Sequence, residues 1–366
     1  MINKIVFAAG GTGGHIYPAI AVADELRKLN EKVEIKFIGA KGRIEEKIVP
    51  KNGYELKTIN ISGFKRSLSY KNILTGIRII KALRQSKQIL KDFKPELVFG
   101  TGGFVSGPVL KSARRLKIPI VVEEGNYHPG VTVKLLSPIA EKVILNFEGT
   151  RKFLKRQDNI EVISYPVREN LKRYDKNEAL KYFGLDSGKK TLFVFGGSQG
   201  AKSINRALME CFSNIVSSGV QIIWQTGEGD FEKISNAVSQ QNGIKALKYI
   251  DSIDYAYSAS DLVICRAGIS TIMELASFGS AVVFVPYPQA SENHQEKNAM
   301  ALAEKNAAEI IPDKVLNEKL ENTVLSLIND ESRLNIMRSN IKQFADIKAA
   351  SKIAQLLVKM VNTSKN

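Results

Sequence analysis

Short apolar runs alternate with longer segments of helical periodicity along this 366-residue chain. Strand-like runs are predicted at residues 5–9, 33–39, 56–59, 97–100, 120–123 and 142–145, and again at 191–195, 221–225, 262–265 and 281–286. Two closing helices are predicted over residues 317–345 and 349–361. This alternation is typical of βαβ units around a parallel sheet. A polar, charge-rich segment at 168–190 follows Tyr165-Pro-Val-Arg168, so we expect two α/β domains that meet there.

Three of the predicted strands run into glycines. We name these segments the first glycine loop (residues 10–15, GGTGGH), the second glycine loop (102–108, GGFVSGP) and the third glycine loop (196–201, GGSQGA). Turns that lack Cβ atoms let backbone N–H groups and the positive end of the next helix approach an anion. Glycines between a strand and a helix also make ordinary tight turns. On their own, these glycines therefore do not distinguish a diphosphate-binding site from a simple turn.

Composition places the chain among globular proteins of a reducing compartment. The length and a hydrophobic content of 44% suit about two domains, each with its own core. The two cysteines, Cys211 and Cys265, lie in apolar patterns that predict buried thiols. No run of about 18 apolar residues occurs and Met1 opens directly on a strand, so we expect neither export nor a membrane span.

Positive charge is concentrated in the first half. Residues 1–175 hold 32 Lys and Arg against 17 Asp and Glu, whereas residues 176–366 hold 21 against 20. A basic half can meet nucleic acid, an anionic membrane or an acidic substrate, or can be a merely solvated surface. Within 63–94 an apolar stripe, expected to be core, accompanies a cationic face. Lys65, Arg66 and Lys71 are therefore candidates for contact with a membrane surface.

The second half carries residues suited to a nucleotide sugar. Ser198 adds a hydroxyl to the third glycine loop, where a diphosphate would fit. Glu274 follows a glycine and two hydroxyls after the strand at 262–265, and a carboxylate there can accept both hydroxyls of a ribose. The alternative for Glu274 is a solvent-facing helix charge. Gln295 and Asn298 lie three apart, so they share a helix face that can bind sugar hydroxyls.

Together, the three glycine loops and the 265–298 region resemble the MurG family, the peptidoglycan glycosyltransferases that add N-acetylglucosamine to lipid I to make lipid II. The resemblance runs in the same motif order from Ile5 to about Ala301. It implies an α/β GT-B fold, in which two Rossmann-like domains with parallel sheets face each other across a cleft. Residues 1–167 would form the acceptor and membrane-facing domain, with a helix at about 347–366 packing back on it. Residues 168–346 would bind the UDP-sugar donor.

The resemblance also implies roles for individual residues. The donor site would comprise Ser198 at the phosphates, Ile250 at the uracil, Ile269, Ser270, Thr271, Ile272, Met273 and Glu274 at the ribose and phosphates, and Gln295 and Asn298 at the sugar. Arg168 would approach the nucleotide from the hinge, and Thr12, Gly13, Gly14 and Asn126 would line the cleft from the first domain. Phe104 stands where many relatives have tyrosine, so no role that needs a hydroxyl is carried to position 104. A second departure is Gly125, which replaces a usual glutamine beside Asn126.

The implied reaction is inverting transfer from UDP-N-acetylglucosamine to the 4-hydroxyl of the N-acetylmuramoyl group of lipid I. No Asp-x-Asp occurs and the three histidines are far apart, so we expect neither a metal nor a cofactor. His15 closes the first glycine loop and histidine titrates near working pH, which makes it the candidate general base. The alternative is that His15 caps the helix or binds the acceptor diphosphate; His128 and Glu124 are reserves.

Two other functions fit the same motifs. One is UDP-N-acetylglucosamine 2-epimerase, which shares the fold and the donor but needs no lipid acceptor and has no use for a basic first half. The other is a non-catalytic module that binds nucleotide sugar or lipid. Under the favoured hypothesis the protein is peripheral, at the cytoplasmic face of the cell membrane. Its partners are an anionic lipid surface and other cell-wall synthesis proteins, not nucleic acid.

Overall fold

The computed structural model describes residues 1–62, 71–167, 171–197 and 199–363, with the backbone alone for residues 71–77. The chain divides into two compact units. Unit 1 comprises Met1–Glu169 and Asp346–Asn366, and unit 2 comprises Asn170–Ala345.

Unit 1 is built on a seven-stranded sheet in which every neighbouring pair is parallel. The strands are β1 (Lys4–Ala8), β2 (Glu34–Ala40), β3 (Glu55–Ile59), β4 (Leu97–Gly100), β5 (Ile120–Glu124), β6 (Lys142–Leu145) and β7 (Ile160–Val162), in the order β3-β2-β1-β4-β5-β6-β7. The helices between them are α1 (Gly13–Leu29), α2 (Glu45–Lys51), α3 (Lys71–Phe93), α4 (Gly103–Arg115) and α5 (Val131–Leu136). Ile5 and Phe7 of β1 belong to the core on one face of the sheet, and Val6 and Ala8 belong to the core on the other. Burial on both faces explains why the central strands β1 and β4 are almost continuous apolar runs.

Unit 2 has a six-stranded parallel sheet. Its strands are β8 (Thr191–Phe195), β9 (Gln221–Gln225), β10 (Ile244–Leu247), β11 (Leu262–Cys265), β12 (Val282–Phe284) and β13 (Glu309–Ile310), in the order β10-β9-β8-β11-β12-β13. Its helices are α6 (Lys176–Phe183), α7 (Lys202–Ser217), α8 (Phe231–Val238), α9 (Ile253–Ala259), α10 (Ile269–Phe278), α11 (His294–Ala303), α12 (Leu316–Ile328) and α13 (Glu331–Ile341). Trp224 of β9 is fully buried in this core, and its indole N–H donates to Asn205 Oδ1 at 3.0 Å.

The last helix, α14 (Ala349–Thr363), belongs to unit 1 although it follows unit 2 in the chain. Its residues Ile353 and Leu357 are fully buried in the same core as Phe7 and Ile16. The apolar face of α14 is therefore part of the unit 1 core.

Two sequence-based expectations were wrong in detail. The helix predicted over 317–345 is two helices, because the chain turns at Asn329-Asp330 and the Asp330 side chain accepts the N–H of Arg333 at 3.0 Å as an N-cap. The apolar stripe within 63–94, expected to be core, includes Ile80 of α3, yet 54% of the surface of Ile80 is exposed. The short strands β7, β10 and β13 were missed, because each contains a charged residue and is only partly buried, so none forms a continuous apolar run.

Pro18 lies inside α1 and leaves one backbone carbonyl of this helix without its usual N–H donor. Pro18 has no N–H, so the carbonyl of Gly14, four residues earlier, lacks its helical donor. The hydroxyl of Tyr165 donates to that carbonyl. The segment around Tyr165, which follows β7, therefore holds the first turn of α1.

We expect Tyr165→Phe to destabilise the start of α1 by about 1 kcal/mol, because the Gly14 carbonyl is left without a donor. In a Pro18→Ala background the new N–H at position 18 can bond that carbonyl, so the same change should cost clearly less. Hydrogen exchange of peptides that cover α1, measured for all four proteins of the cycle, checks this. Equal losses in both backgrounds would contradict it.

Candidate active site

The segments after β1, β4 and β5 meet at one edge of the unit 1 sheet, because these strands are parallel neighbours. His15 lies in the first turn of α1, with its Nδ1 2.6 Å from the carbonyl oxygen of Thr101. In return, the Thr101 hydroxyl donates to the His15 carbonyl at 2.6 Å. A carbonyl can only accept, so Nδ1 carries the proton and the lone pair of the neutral ring is on Nε2.

The second glycine loop makes room for the His15 ring. A Cβ at Gly103 would lie 3.0 Å from His15 Cδ2, and one at Gly102 would lie 3.5 Å from Cε1. Both glycines have positive φ, +70° and +78°, a backbone conformation that favours glycine. These glycines therefore serve the packing of the imidazole as well as the turn.

The two reserve candidates for the base are engaged elsewhere. Glu124 Oε1 accepts the backbone and side-chain N–H groups of Asn126, both at 3.0 Å, and Oε2 accepts the N–H of Gly130 at 2.8 Å. Burial raises the pKa of the Glu124 carboxyl. Lys134 Nζ donates to His128 Nε2 at 2.9 Å. Glu124 thus orients Asn126, and His128 uses its Nε2 lone pair on a cation.

The beginning of the first glycine loop differs from a simple anion cradle. The N–H of Gly11 donates to the carboxylate of Glu45, at 3.2 Å from Oε1 and 3.1 Å from Oε2. A Cβ at Gly11 would lie 2.7 Å from the ring of Phe104, so the aromatic ring packs closely against this glycine. Thr12 is the exposed N-cap of α1 without a side-chain cap bond, and Gly13 and Gly14 begin the helix.

In unit 2, the segments after the neighbouring strands β8 and β11 lead into α7 and α10. A Cβ at Gly197 or Gly268 would meet open space, with nothing described within 4 Å. In contrast, a Cβ at Gly200 would lie 2.1 Å from the carbonyl oxygen of Thr226, and one at Gly196 would lie 2.3 Å from Ala201 Cβ. Only the open positions leave room for a ligand, whereas the closed ones let loops pack on each other.

Glu274 is buried, with 6% of its surface exposed, so the alternative of a solvent-facing helix charge does not hold. Its Oε2 accepts the hydroxyl of Tyr257 at 2.9 Å. Ser270 and Thr271 are half-buried in the first turn of α10. The side chains of Ile272 and Met273 are fully buried, and that of Ile269 is 8% exposed. Side-chain chemistry in this turn therefore rests on Ser270, Thr271 and Glu274.

Gln225 joins two of the predicted donor segments. Its Oε1 accepts the N–H of Ile250 at 2.9 Å, and its Nε2 donates to the Gly197 carbonyl at 3.0 Å. The Ile250 N–H thus already has an acceptor, which a uracil would have to displace in order to use it. Gln225 was not singled out by the sequence, because it is the last residue of an apolar strand.

The two predicted sugar-binding residues differ in exposure and in their hydrogen-bond partners. Gln295 is half-buried, and its Oε1 accepts the N–H of Tyr287 at 2.9 Å. Asn298 is fully buried, and its Nδ2 lies 3.5 Å from the Ala267 carbonyl. Arg266 donates to the carbonyls of Val285 at 3.0 Å and Pro286 at 3.2 Å, just before Tyr287.

Some predicted residues lie outside the described part of the chain. These are Lys65, Arg66, Arg168, Ser198 and the side chain of Lys71. Among the described residues, no group of three or more His, Cys, Asp and Glu is arranged to hold a metal ion. A helix long and apolar enough to cross a bilayer is likewise absent from the described segments.

Both halves match glycosyltransferase models. The N-terminal domain of glycosyltransferase family 28 matches residues 5–145, and the C-terminal domain of the same family matches residues 191–353. With two parallel-sheet units, the chain is a GT-B glycosyltransferase of family 28.

Curated relatives narrow the assignment. The UDP-N-acetylglucosamine–N-acetylmuramyl-(pentapeptide) pyrophosphoryl-undecaprenol N-acetylglucosamine transferase of Christiangramia forsetii is 41% identical over 361 residues, 98% of each chain. The transferase of the same name from Caldanaerobacter subterraneus is 38% identical over 360 residues, 97% of this chain and 99% of the relative. This chain belongs to the MurG family.

Solved structures agree on the architecture. The crystal structure of Acinetobacter baumannii MurG gives a TM-score of 0.80 at 27% identity, covering 98% of this chain and 99% of that one. A UDP-N-acetylglucosamine 2-epimerase gives a TM-score of 0.69 at 13% identity over 100% of this chain and 98% of its own, which shows a shared fold alone.

The two kinds of glycine in unit 2 can be separated by stability. We expect Gly200→Ala to cost about 3 kcal/mol or more, because its Cβ would collide with backbone and its φ is +75°. Gly268→Ala should cost no more than about 1 kcal/mol, since its φ is −71° and the space is open. Denaturant unfolding followed by the fluorescence of Trp224, the only tryptophan, reports unit 2 alone. Similar losses in both variants would refute the distinction.

Proposed function

We propose that this chain transfers N-acetylglucosamine from UDP-N-acetylglucosamine to the 4-hydroxyl of the N-acetylmuramoyl group of lipid I, with inversion, to form lipid II. The observation that carries the proposal is the 37–41% identity, over 97–99% of the chain, to transferases whose names state that donor and acceptor. The geometry at the strand ends of both units is consistent with it.

Unit 2 would bind the donor. The open positions at Gly197 and Gly268 lie where β8 and β11 lead into α7 and α10, and the N-termini of helices attract diphosphates. Glu274, oriented by Tyr257, would accept the ribose hydroxyls, and Ile250 would border the uracil. Gln295 would face the sugar, with Asn298 holding the 265–268 segment beneath it. Ser198 and Arg168, known here from sequence alone, complete the proposed set.

Unit 1 would bind the acceptor and supply the base. Nδ1 of His15 is held by the Thr101 carbonyl, so Nε2 would take the proton of the 4-hydroxyl as its oxygen attacks the anomeric carbon. The bond from that carbon to the UDP oxygen breaks in the same step, and the new link is β-1,4. Thr12, Gly13, Gly14 and Asn126 would bind substrate from unit 1.

Departure of UDP is proposed to need no metal. Backbone N–H groups at the starts of α7 and α10 would stabilise the charge that develops on the leaving diphosphate.

Incubating the protein with UDP-N-acetylglucosamine, with and without lipid I and with excess chelator, tests the proposed reaction. We expect release of UDP that requires lipid I and continues in chelator. Isomerisation of the sugar without lipid I would identify an epimerase, and binding without turnover would identify a binding module. Activity that is lost in chelator and restored by magnesium would contradict only the metal-independent step.

The donor site can be tested by UDP binding alone. We expect Tyr257→Phe to weaken UDP binding by about tenfold, because the hydroxyl that orients the Glu274 carboxylate is lost, and Glu274→Ala to weaken it more. Calorimetry with UDP measures both, and Glu318→Ala, at an exposed position on α12, serves as the matched control. Parental affinity in Glu274→Ala would exclude the ribose role.

The base is tested by kinetics. We expect His15→Ala to lower kcat by roughly 10²- to 10⁴-fold with the affinity for UDP largely kept, and to remove the acidic limb of the pH profile. His128→Ala, at a ring that uses its Nε2 on Lys134, should retain most of kcat. Near-normal kcat with a much higher KM for lipid I would move His15 from proton transfer to acceptor binding.

Attachment at the cytoplasmic face of the membrane is proposed to be peripheral. The described part of α3 exposes a row of cations, namely Arg78, Lys81, Arg84, Lys87 and Lys91. These cations lie on the same helix as Lys71, which is its first residue, in the basic half of the chain. Each basic residue near anionic lipid contributes about 1 kcal/mol.

We expect reversal of charge at Lys65, Arg66 and Lys71 to reduce binding to anionic vesicles by about 100-fold or more at low salt. High salt should weaken the parent similarly, because exposed charges are screened. The matched control reverses Lys233, Lys245 and Lys319, which are exposed on unit 2. Sedimentation that is equal with neutral and anionic vesicles would argue for a contact that does not depend on charge.

A further inference from the structure

Glu45, the first residue of α2, has a completely buried carboxylate directly beneath the first glycine loop. Its Oε1 accepts the N–H of Ala40 at 2.8 Å, and the N–H of Gly11 donates to both of its oxygens. Among the described residues, Glu45 makes no ion pair, so its partners are backbone N–H groups. Both oxygens therefore act as acceptors of backbone N–H groups.

Two glycines from different parts of the chain leave space for this side chain. A Cβ at Gly10 would lie 2.2 Å from Glu45 Oε1, and a Cβ at Gly39 would lie 2.6 Å from Glu45 Cγ. Neither glycine has a positive φ, so the turn itself does not require them. The absence of a Cβ at positions 10 and 39 is explained by the volume of the glutamate.

The first glycine loop is thus fixed at both ends. Glu45 holds Gly11 at its start, with the Phe104 ring packed on the other side, and Thr101 holds His15 at its end. A buried carboxylate is costly unless its oxygens are bonded, so a shift of the loop that separated it from Gly11 would be opposed. Restraint of this kind keeps a reacting group in place.

We propose that Glu45 is a positioning residue for catalysis, which sets the first glycine loop so that His15 meets the acceptor hydroxyl. This rests on the proposed function and on His15 as its base. It also follows that the N–H of Gly11 is already bonded to Glu45 and is not available to the acceptor diphosphate.

The proposal is tested by chemical rescue of Glu45→Ala with acetate. Glu45→Ala deletes Cγ and the carboxylate, which together have the size of acetate. We expect kcat at saturating substrates to fall roughly 10²-fold, while calorimetry shows unchanged UDP binding because the donor loops belong to unit 2. Added acetate should restore much of kcat, and acetamide or chloride at equal ionic strength should not. Glu45→Gln, which keeps one accepting oxygen, should lose roughly tenfold.

The matched control is Glu46→Ala, since Glu46 is the exposed neighbour that accepts the N–H of Gly42 at 3.0 Å. It should behave as the parent, with or without acetate. If Glu45→Ala does not fold, Glu45→Gln decides, because it has the same shape. Parental kcat in a folded Glu45 variant, or a loss confined to melting temperature, would overturn the proposal. A parent that shows no lipid I-dependent turnover would instead refute the proposed function.

Discussion

Neighbouring parallel strands must end at the same edge of their sheet, and this constraint places the candidate residues that directly follow the central strands of each unit. In unit 1 it joins the first glycine loop to Thr101 and to the Glu124–Asn126 segment, which are more than 80 positions away in sequence. In unit 2 it joins the third glycine loop to Gly268 and the first turn of α10. The chain thus gathers candidate functional groups at one edge of each sheet.

The glycines at these edges have three separate physical reasons. Gly10 and Gly39 leave volume for a buried carboxylate, Gly103 leaves volume for the imidazole, and Gly200 lets one loop pack on another. In the third glycine loop and before α10, a Cβ at Gly197 or Gly268 would meet open space, whereas one at Gly196 or Gly200 would not. Most glycines of these loops are therefore explained by the groups that pack against them, and only some positions leave space for a ligand.

Much of the fold followed from the sequence, because fully buried parallel strands are continuous apolar runs, such as β1 and β8. The positions of His15 and Glu274 at strand-to-helix turns followed as well. The partners of these residues did not: Glu45, Tyr165, Tyr257 and Gln225 carry no motif, and each acts on a residue 17 to 151 positions away. Side-chain contacts of this kind depend on topology, which a local pattern does not contain.

The central claim is that the Thr101 carbonyl fixes His15 as the Nδ1–H tautomer, with its lone pair on Nε2. Nitrogen-15 NMR of histidine-labelled protein measures this directly, because the chain has only three histidines and His15→Ala assigns the signal. At the pH of maximal activity we expect a protonated Nδ1 and an unprotonated Nε2. A ring protonated on Nε2, as the other neutral tautomer or as imidazolium, would contradict the account.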